Sequence, residues 1–149
     1  MKLQVQPAGV EYAALIAALH AACLSPPWSE ATIARLLGGP GGLGWIAALD
    51  DQPAGFALIR EAADEAEILA IGVLPAERRR GVGRALLTTV IGHCVSHRLS
   101  RLYLEVAASN TAAKNAYGRA GFRQVGQRRR YYGAGKTRED ALVMRRDLV

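Results

Sequence analysis

The sequence predicts an α/β fold of the α+β kind, in which helices flank a mixed, mostly antiparallel sheet. Short apolar runs bounded by turn residues indicate strands, and longer runs with apolar side chains three and four residues apart indicate helices. One predicted helix, residues 83–97, lies between two predicted strands, which places one parallel pair in the sheet. At 149 residues, the chain is long enough for a buried core. We therefore expect residues 1–149 to form a single domain.

The first half of the chain predicts a strand, two helices and a hairpin: residues 3–5, 10–23, 29–37, 45–49 and 55–60. Ser29 follows a turn with two prolines and is suited to cap the second helix. Residues 38–44 are rich in glycine and predict a flexible loop, which lacks the Gly-Lys-Ser/Thr ending of a P-loop. The turn at residues 50–53 joins the two strands of the hairpin.

The second half predicts strand, helix, strand, helix and two closing strands: residues 67–74, 83–97, 101–106, 111–120, 122–130 and 141–148. An acidic turn at residues 61–65 precedes the first of these, and Pro75 ends it. The helix at residues 83–97 places Leu86, Leu87, Val90, Ile91 and Cys94 on one face. Gly121 is a suitable C-cap for the last helix.

The composition indicates a globular protein with an anionic partner. Half of the residues are hydrophobic and 21% are charged, with a formal net charge of +6. Such an excess of positive charge favours a nucleotide-like cofactor, RNA or an acidic surface. The two cysteines form no CxxC pair, so we expect a cytoplasmic protein without a disulfide framework. The apolar run at residues 13–24 is shorter than the roughly 20 residues that span a bilayer, and we expect no membrane partner.

The segment 78–83, Arg-Arg-Arg-Gly-Val-Gly, joins a predicted strand to a predicted helix. Glycines let a ligand approach the backbone closely, and the free N–H groups of a first helical turn bind anions. Arg84 adds to the positive field. A dinucleotide-binding fingerprint is excluded, because Leu86 stands where its third glycine is required and Glu105 is the nearest acidic residue downstream.

A second group of polar residues surrounds the strand at residues 101–106. Glu105 lies on the face of this strand opposite Leu102 and Leu104, and a carboxylate in the middle of a strand requires an explanation. Asn110 begins the next predicted helix. Tyr117 follows two helical turns later, so both side chains face the same groove.

These residues carry a resemblance to the GNAT family of N-acetyltransferases. Within it, the sequence is similar to bacterial enzymes that acetylate the N-terminal alanine of small-subunit ribosomal protein eighteen. The similarity extends over nearly all of the chain from Pro27. The matching segments are residues 27–30, 78–87, 104–106, 108–110, 117, 121–122, 128–129, 131–132 and 138–141. The resemblance implies a mixed sheet whose parallel strands splay apart, and acetyl transfer from acetyl-CoA to a protein N-terminal amine.

The resemblance also implies a role for individual residues. Glu105 would be the general base and Tyr117 the general acid, with no covalent enzyme intermediate and no metal. The implied cofactor contacts are the backbone of Ile71, Gly72 and Val73 for pantetheine, residues Arg79, Arg80, Gly81, Val82, Gly83 and Arg84 for pyrophosphate, and Asn110. Tyr131 and Tyr132 would seat the N-terminal peptide of a protein substrate, implied to be a ribosomal protein. Nucleic acid contact is expected only indirectly, through the ribosome.

An α-amine suits this chemistry because its pKa lies near 7.7–8.0, against about 10.4 for a lysine side chain. Two alternatives remain open from the residues alone. One is a GNAT enzyme that acetylates a small amine, an antibiotic or a lysine. The other is an RNA-binding module that uses the basic and aromatic segment at residues 128–132.

A few residues depart from the family pattern or suggest other chemistry. Gly72 replaces an alanine, Arg130 replaces an asparagine, and the loops at residues 38–44 and 133–137 differ in sequence. His93 and His97 have the spacing of metal ligands on a helix, but no third ligand is evident. The two cysteines are expected to be small core residues.

Overall fold

The computed structural model of the chain describes residues 1–132 and 139–149, with side chains for residues 1–129 and 139–149. These residues form strands and helices, with short 3₁₀ turns at Val10–Tyr12 and Pro75–Glu77. The strands are β1 Leu3–Pro7, β2 Gly42–Leu49, β3 Gln52–Ala62, β4 Glu65–Val73, β5 Arg101–Ala107, β6 Arg123–Tyr132 and β7 Glu139–Asp147. The α-helices are α1 Ala13–Cys23, α2 Glu30–Gly38, α3 Val82–Ser96 and α4 Thr111–Arg119.

The strands form one sheet in the order β1-β2-β3-β4-β5-β7-β6. Among the described strands, β4 and β5 are the parallel pair, and the other neighbours are antiparallel. Helix α3 makes the crossover between β4 and β5, as a parallel connection requires. The predicted mixed, mostly antiparallel sheet with one parallel pair is confirmed.

The predicted glycine loop at residues 38–44 is wrong in extent, because α2 includes Gly38 and β2 begins at Gly42. Close packing explains the difference. A Cβ atom on Gly42 would lie 1.8 Å from the carbonyl oxygen of Leu36. The Gly41 carbonyl accepts a hydrogen bond of 2.8 Å from the N–H of Glu61. These glycines bring the end of α2 against the β2–β3 pair.

The acidic turn predicted at residues 61–65 is shorter in the structure, since β3 ends at Ala62 and β4 begins at Glu65.

Apolar side chains pack on both faces of the sheet. On one face, the predicted apolar side of α3 packs over the strands, with Leu86 and Val90 fully buried. On the other face, α1 and α2 cover Phe56 and Leu58 of β3. At roughly 25 cal/mol per Å² of buried apolar surface, these two layers are the main stabilising contribution to the fold.

An irregularity in β4 prepares the site. Leu58 pairs with Ala70 and Ile59 pairs with Ile68, so Leu69 is an extra residue in β4. Such a bulge changes which side chains face each side of the sheet. Ile68 packs on the α3 side, whereas Ala70 packs on the α1–α2 side. The bulge directly follows Ile68, the last residue of β4 that pairs with β5.

Candidate active site

A cleft opens in the sheet between β4 and β5. Their pairing ends at Ile68 and Leu104. Beyond it, no strand in the described part of the chain pairs with the facing edges of residues 69–73 and 105–107, although β3 and β7 pair with their outer edges. Unpaired backbone N–H and C=O groups on a strand edge bind an extended ligand by strand addition. Ile71, Gly72 and Val73, the residues predicted to contact pantetheine, lie on this edge.

The structure gives a reason for glycine at position 72. A Cβ atom there would lie 2.8 Å from Cβ of Cys23 and 2.9 Å from a ring carbon of Phe56. Both approaches are shorter than real Cβ contacts, so an alanine would displace the end of α1. Cys23 therefore accounts for the glycine at position 72, because its side chain occupies the space that the Cβ atom of an alanine would need.

The turn at residues 78–83 has the backbone of an anion site. Arg79 and Gly81 adopt left-handed conformations with φ of 65° and 83°, and such turns direct successive N–H groups inward. Gly81 is the N-cap of α3, and no side chain caps the helix there. No atom lies within 4 Å of the position where Gly81 would carry a Cβ. The first turn of α3 thus presents backbone N–H groups and its dipole to solvent.

The arginines around this turn are exposed. Arg78 donates a hydrogen bond of 3.2 Å from Nε to the carbonyl of Val73, which fixes the turn to the end of β4. Arg80 lies 3.7 Å from the carboxylate of Glu77. The guanidinium groups of Arg79 and Arg84 extend the positive field beside the helix terminus. This arrangement suits a phosphate-bearing ligand.

We expect Gly81→Ala to weaken acetyl-CoA binding about tenfold and to lower the free energy of unfolding by about 1 kcal/mol, because a side chain disfavours left-handed backbone. Gly92→Ala is the matched control. Gly92 is an exposed residue of α3 with open space around it, where alanine should stabilise the helix by about 0.8–1.0 kcal/mol. Calorimetry with acetyl-CoA and denaturant unfolding measure both effects. Unchanged affinity in Gly81→Ala would contradict this role of the turn.

Glu105 follows Leu104, the last residue of β5 that pairs with β4, and it lies on the face opposite the α3 layer. It lines a pocket of about 330 Å³ together with Arg60, Glu67, Tyr103 and Val143. Its side chain is 17% exposed and forms an ion pair with Arg128. Arg128 Nη1 lies 2.9 Å from Oε1 and 3.3 Å from Oε2. The carboxylate predicted as general base is therefore held at the vertex of the cleft by a cation.

Sequence reasoning missed both Glu67 and Arg128 as neighbours of Glu105. Burial raises the pKa of Glu67, the negative charge of Glu105 raises it further, and Arg60 and Arg128 oppose the shift. The carboxylates of Glu65, Glu67 and Glu105 thus line one pocket together with the guanidinium of Arg60, and Arg128 contacts Glu105 beside it. The pattern of alternating residues marks Glu67 as a solvent-facing position. It does not reveal which cation from β6 reaches β5, because β7 lies between those strands.

Tyr117 lies on α4 and approaches from the other face. Its ring packs edge-on against Phe122 at 5.9 Å between centroids and rests on the α3-side cluster, as do Ile71 and Val73. Burial raises the pKa of Tyr117, so the phenol keeps its proton. Glu105 and Tyr117 accordingly flank the sheet from opposite faces, beside the strands that border the cleft.

Asn110 is exposed and caps α4. Its Oδ1 accepts a hydrogen bond of 3.1 Å from the N–H of Ala113. This contact fixes the start of the helix that carries Tyr117. The side chains of Tyr131 and Tyr132, predicted to seat a peptide, lie outside the described residues, as do those of Arg130 and the loop at residues 133–138.

The contacts of His93 and His97 and the burial of the two cysteines indicate structural roles. His93 Nε2 lies 2.5 Å from Glu61 Oε1, and its ring stacks on His97 at 4.0 Å. Burial raises the pKa of the Cys94 thiol to about 11 and also raises that of Cys23. Among the described residues, no group of three or more His, Cys, Asp or Glu is arranged to hold a metal ion. Within the same part of the chain, no helix is long and apolar enough to cross a membrane.

A splayed parallel pair, with an uncapped helix N-terminus behind a glycine turn and a carboxylate at the vertex, defines a class of acyl-transfer enzyme. The sequence of residues 13–122 matches the profile of the acetyltransferase (GNAT) family. The chain belongs to this family, and it is an acetyl-CoA-dependent N-acetyltransferase. The resemblance found in the sequence is confirmed.

The chain is similar to individual acetyltransferases of known name. The chain is 39% identical over 118 residues to the ribosomal protein bS18-alanine N-acetyltransferase of Escherichia coli K12, with 79% of each chain covered. It is 45% identical over 83 residues to the N-alpha-acetyltransferase RimI of Mycobacterium tuberculosis, which covers 56% of this chain and 49% of the relative. The crystal structure of the ribosomal-protein-S18-alanine N-acetyltransferase from Escherichia coli superposes with a TM-score of 0.92 at 31% identity, covering 99% of this chain and 94% of that one.

Proposed function

We propose that this enzyme, acting as one domain, acetylates the N-terminal α-amine of a protein. We further propose that its substrate is the N-terminal alanine of small-subunit ribosomal protein eighteen, met in the cytoplasm. The observation that carries the proposal is the Glu105 carboxylate at the vertex of the β4–β5 cleft, beside a pocket open to an incoming chain. The relatives named for bS18-alanine acetylation support the choice of acceptor.

In this proposal, the cleft holds acetyl-CoA between two strand edges. The backbone of Ile71, Gly72 and Val73 pairs with the pantetheine arm, and the turn at residues 79–84 binds the pyrophosphate. Asn110 contacts the cofactor and also starts α4. The thioester is thereby presented at the vertex, where Glu105 and the acceptor amine meet. Orientation of this kind supplies a large part of the rate enhancement of two-substrate enzymes.

The proton steps follow from ordinary pKa values. The α-amine attacks only when neutral, and its pKa near 7.7–8.0 makes deprotonation at neutral pH about 3.5 kcal/mol easier than for lysine. Glu105 receives that proton, directly or through a water molecule. Tyr117 gives its phenolic proton to the thiolate that leaves, whose ordinary pKa is near 8.5, and the second proton of the amine, released as the amide forms, restores the phenol. The amine attacks the thioester directly, with no acylated residue on the enzyme.

The test is acetylation of a peptide panel, followed by mass spectrometry. An N-terminal alanine peptide from ribosomal protein eighteen should gain one acetyl group at its α-amine. The same peptide with a blocked N-terminus and an internal lysine is the matched control and should gain none. Faster turnover of lysine or of small amines would overturn the choice of acceptor. RNA binding with steep salt dependence and no turnover of any amine would overturn N-terminal acetylation itself.

A further inference from the structure

Arg128 makes a contact across the sheet that the mechanism above does not use. The residue lies on edge strand β6 and is paired in register with Ala141 of β7. Glu105 lies on β5 and is paired with Val143 of the same strand. The guanidinium therefore crosses β7 diagonally to reach the carboxylate. The short side chains of Ala141 and Val143 leave room for it.

The pocket explains what such a cation does. Among the residues whose side chains the structure describes, the charged and titratable groups that line it are Arg60 from β3, Glu65 and Glu67 from β4, and Tyr103 and Glu105 from β5, while β7 contributes the apolar Val143. Arg128 from β6 adds its charge at 2.9 Å. Glu65 is engaged at 3.3 Å by Arg101. Glu105 and Glu67 thus line the same pocket, and the negative charge of Glu105 contributes to the raised pKa of Glu67.

We infer that Arg128 is a positioning residue for the proposed general base: its two contacts with Oε1 and Oε2 fix the Glu105 carboxylate at the vertex. The inference rests on the proposed role of Glu105 as the base. Charge-assisted hydrogen bonds from a guanidinium restrict the rotamer of a carboxylate. Without this cation, the Glu105 side chain can turn away from the vertex, and a smaller fraction of it is oriented to receive the proton.

The variants are Arg128→Gln, which removes the charge, and Arg128→Lys, which retains it. The matched control is Arg123→Gln. Arg123 lies on the same strand and forms an ion pair of 3.3 Å with Asp147, at the other end of β6. The control therefore removes one surface ion pair of the same strand without touching the pocket.

Two readouts are measured: the ¹³C chemical shift of the Glu105 side-chain carboxyl at one neutral pH, assigned through Glu105→Gln, and kcat with KM for the peptide. Arg128→Gln should change the chemical shift and lower kcat about tenfold through loss of orientation, with KM near the wild-type value. Arg128→Lys should restore most of both values, and Arg123→Gln should change neither. Thermal unfolding establishes that each variant is folded.

The outcomes separate this inference from the proposed function. An unchanged chemical shift in Arg128→Gln would overturn the inference, whether or not the wild-type enzyme acetylates the peptide. A changed chemical shift with unchanged kcat would also overturn a role in the reaction. A changed chemical shift in a protein that acetylates no N-terminal peptide would overturn the proposed function and leave the contact between Arg128 and Glu105 standing.

Discussion

Glu105→Gln should reduce kcat for peptide acetylation by about a hundredfold or more, the contribution expected from a positioned general base. Glutamine has nearly the same shape, and its amide oxygen still accepts a hydrogen bond from Arg128, which lies 2.9 Å from Oε1 in the wild type. The amide cannot receive the proton of the α-ammonium. The loss should appear in kcat, because the proposed acetyl-CoA contacts lie on β4, in the turn before α3 and at Asn110, and do not include Glu105.

The matched control for this change is Glu65→Gln, which neutralises a carboxylate on the rim of the same pocket. Glu65 is 38% exposed and is paired with Arg101 on the β5 side. Steady-state kinetics should show little change in this variant, and calorimetry should show unchanged acetyl-CoA affinity in both. If Glu105→Gln retained more than a third of wild-type kcat, another group would have to accept the proton. Glu67, across the pocket, would then be the next residue to test.

Local sequence patterns predicted the strands, the helix and the glycine turn that surround the site. Helix α3 lies between two strands in the chain, so a parallel pair was required wherever those strands met. The glycine turn and the helix after it were visible in residues 78–83. Glu105 stood out because its neighbours Leu104 and Val106 are apolar. Each of these features depends on residues close together in sequence, where propensity and periodicity are informative.

Features that depend on packing between distant segments were not predictable in the same way. The extra residue at Leu69 changes the faces of β4, yet nothing in its type marks a bulge. Gly72 appeared only as a departure from a family pattern, and its reason is the approach of Cys23 from α1. Arg128 reaches Glu105 across an intervening strand. Such contacts are set by register and helix placement, which a single sequence does not fix.

Tyr117→Phe should lower kcat by about tenfold to a hundredfold while KM for the peptide and affinity for acetyl-CoA stay near the wild-type values. The variant keeps the ring that packs on Phe122 at 5.9 Å, so the fold should survive. What it loses is the proton for the departing thiolate. Because burial raises the pKa of Tyr117 above the ordinary value of a phenol, this proton is present throughout the working range. Wild-type kcat should consequently show no decline between about pH 8 and 9.5, below the ordinary tyrosine pKa of about 10.

Tyr12→Phe is the matched control, because Tyr12 is 43% exposed on the turn before α1 and lines a pocket beside β1 and β2, which β3 separates from the cleft strands. It should keep wild-type kcat at every pH. A second comparison separates acid catalysis from packing. An activated thioester, whose leaving thiolate has a lower pKa, needs less protonation and should recover most of the activity of Tyr117→Phe. Equal loss with both donors would mean that the hydroxyl positions the donor and does not protonate the leaving group. In that case α4, which begins after Asn110, would only border the cleft, and the Tyr117 hydroxyl would contact the acetyl donor without giving up its proton.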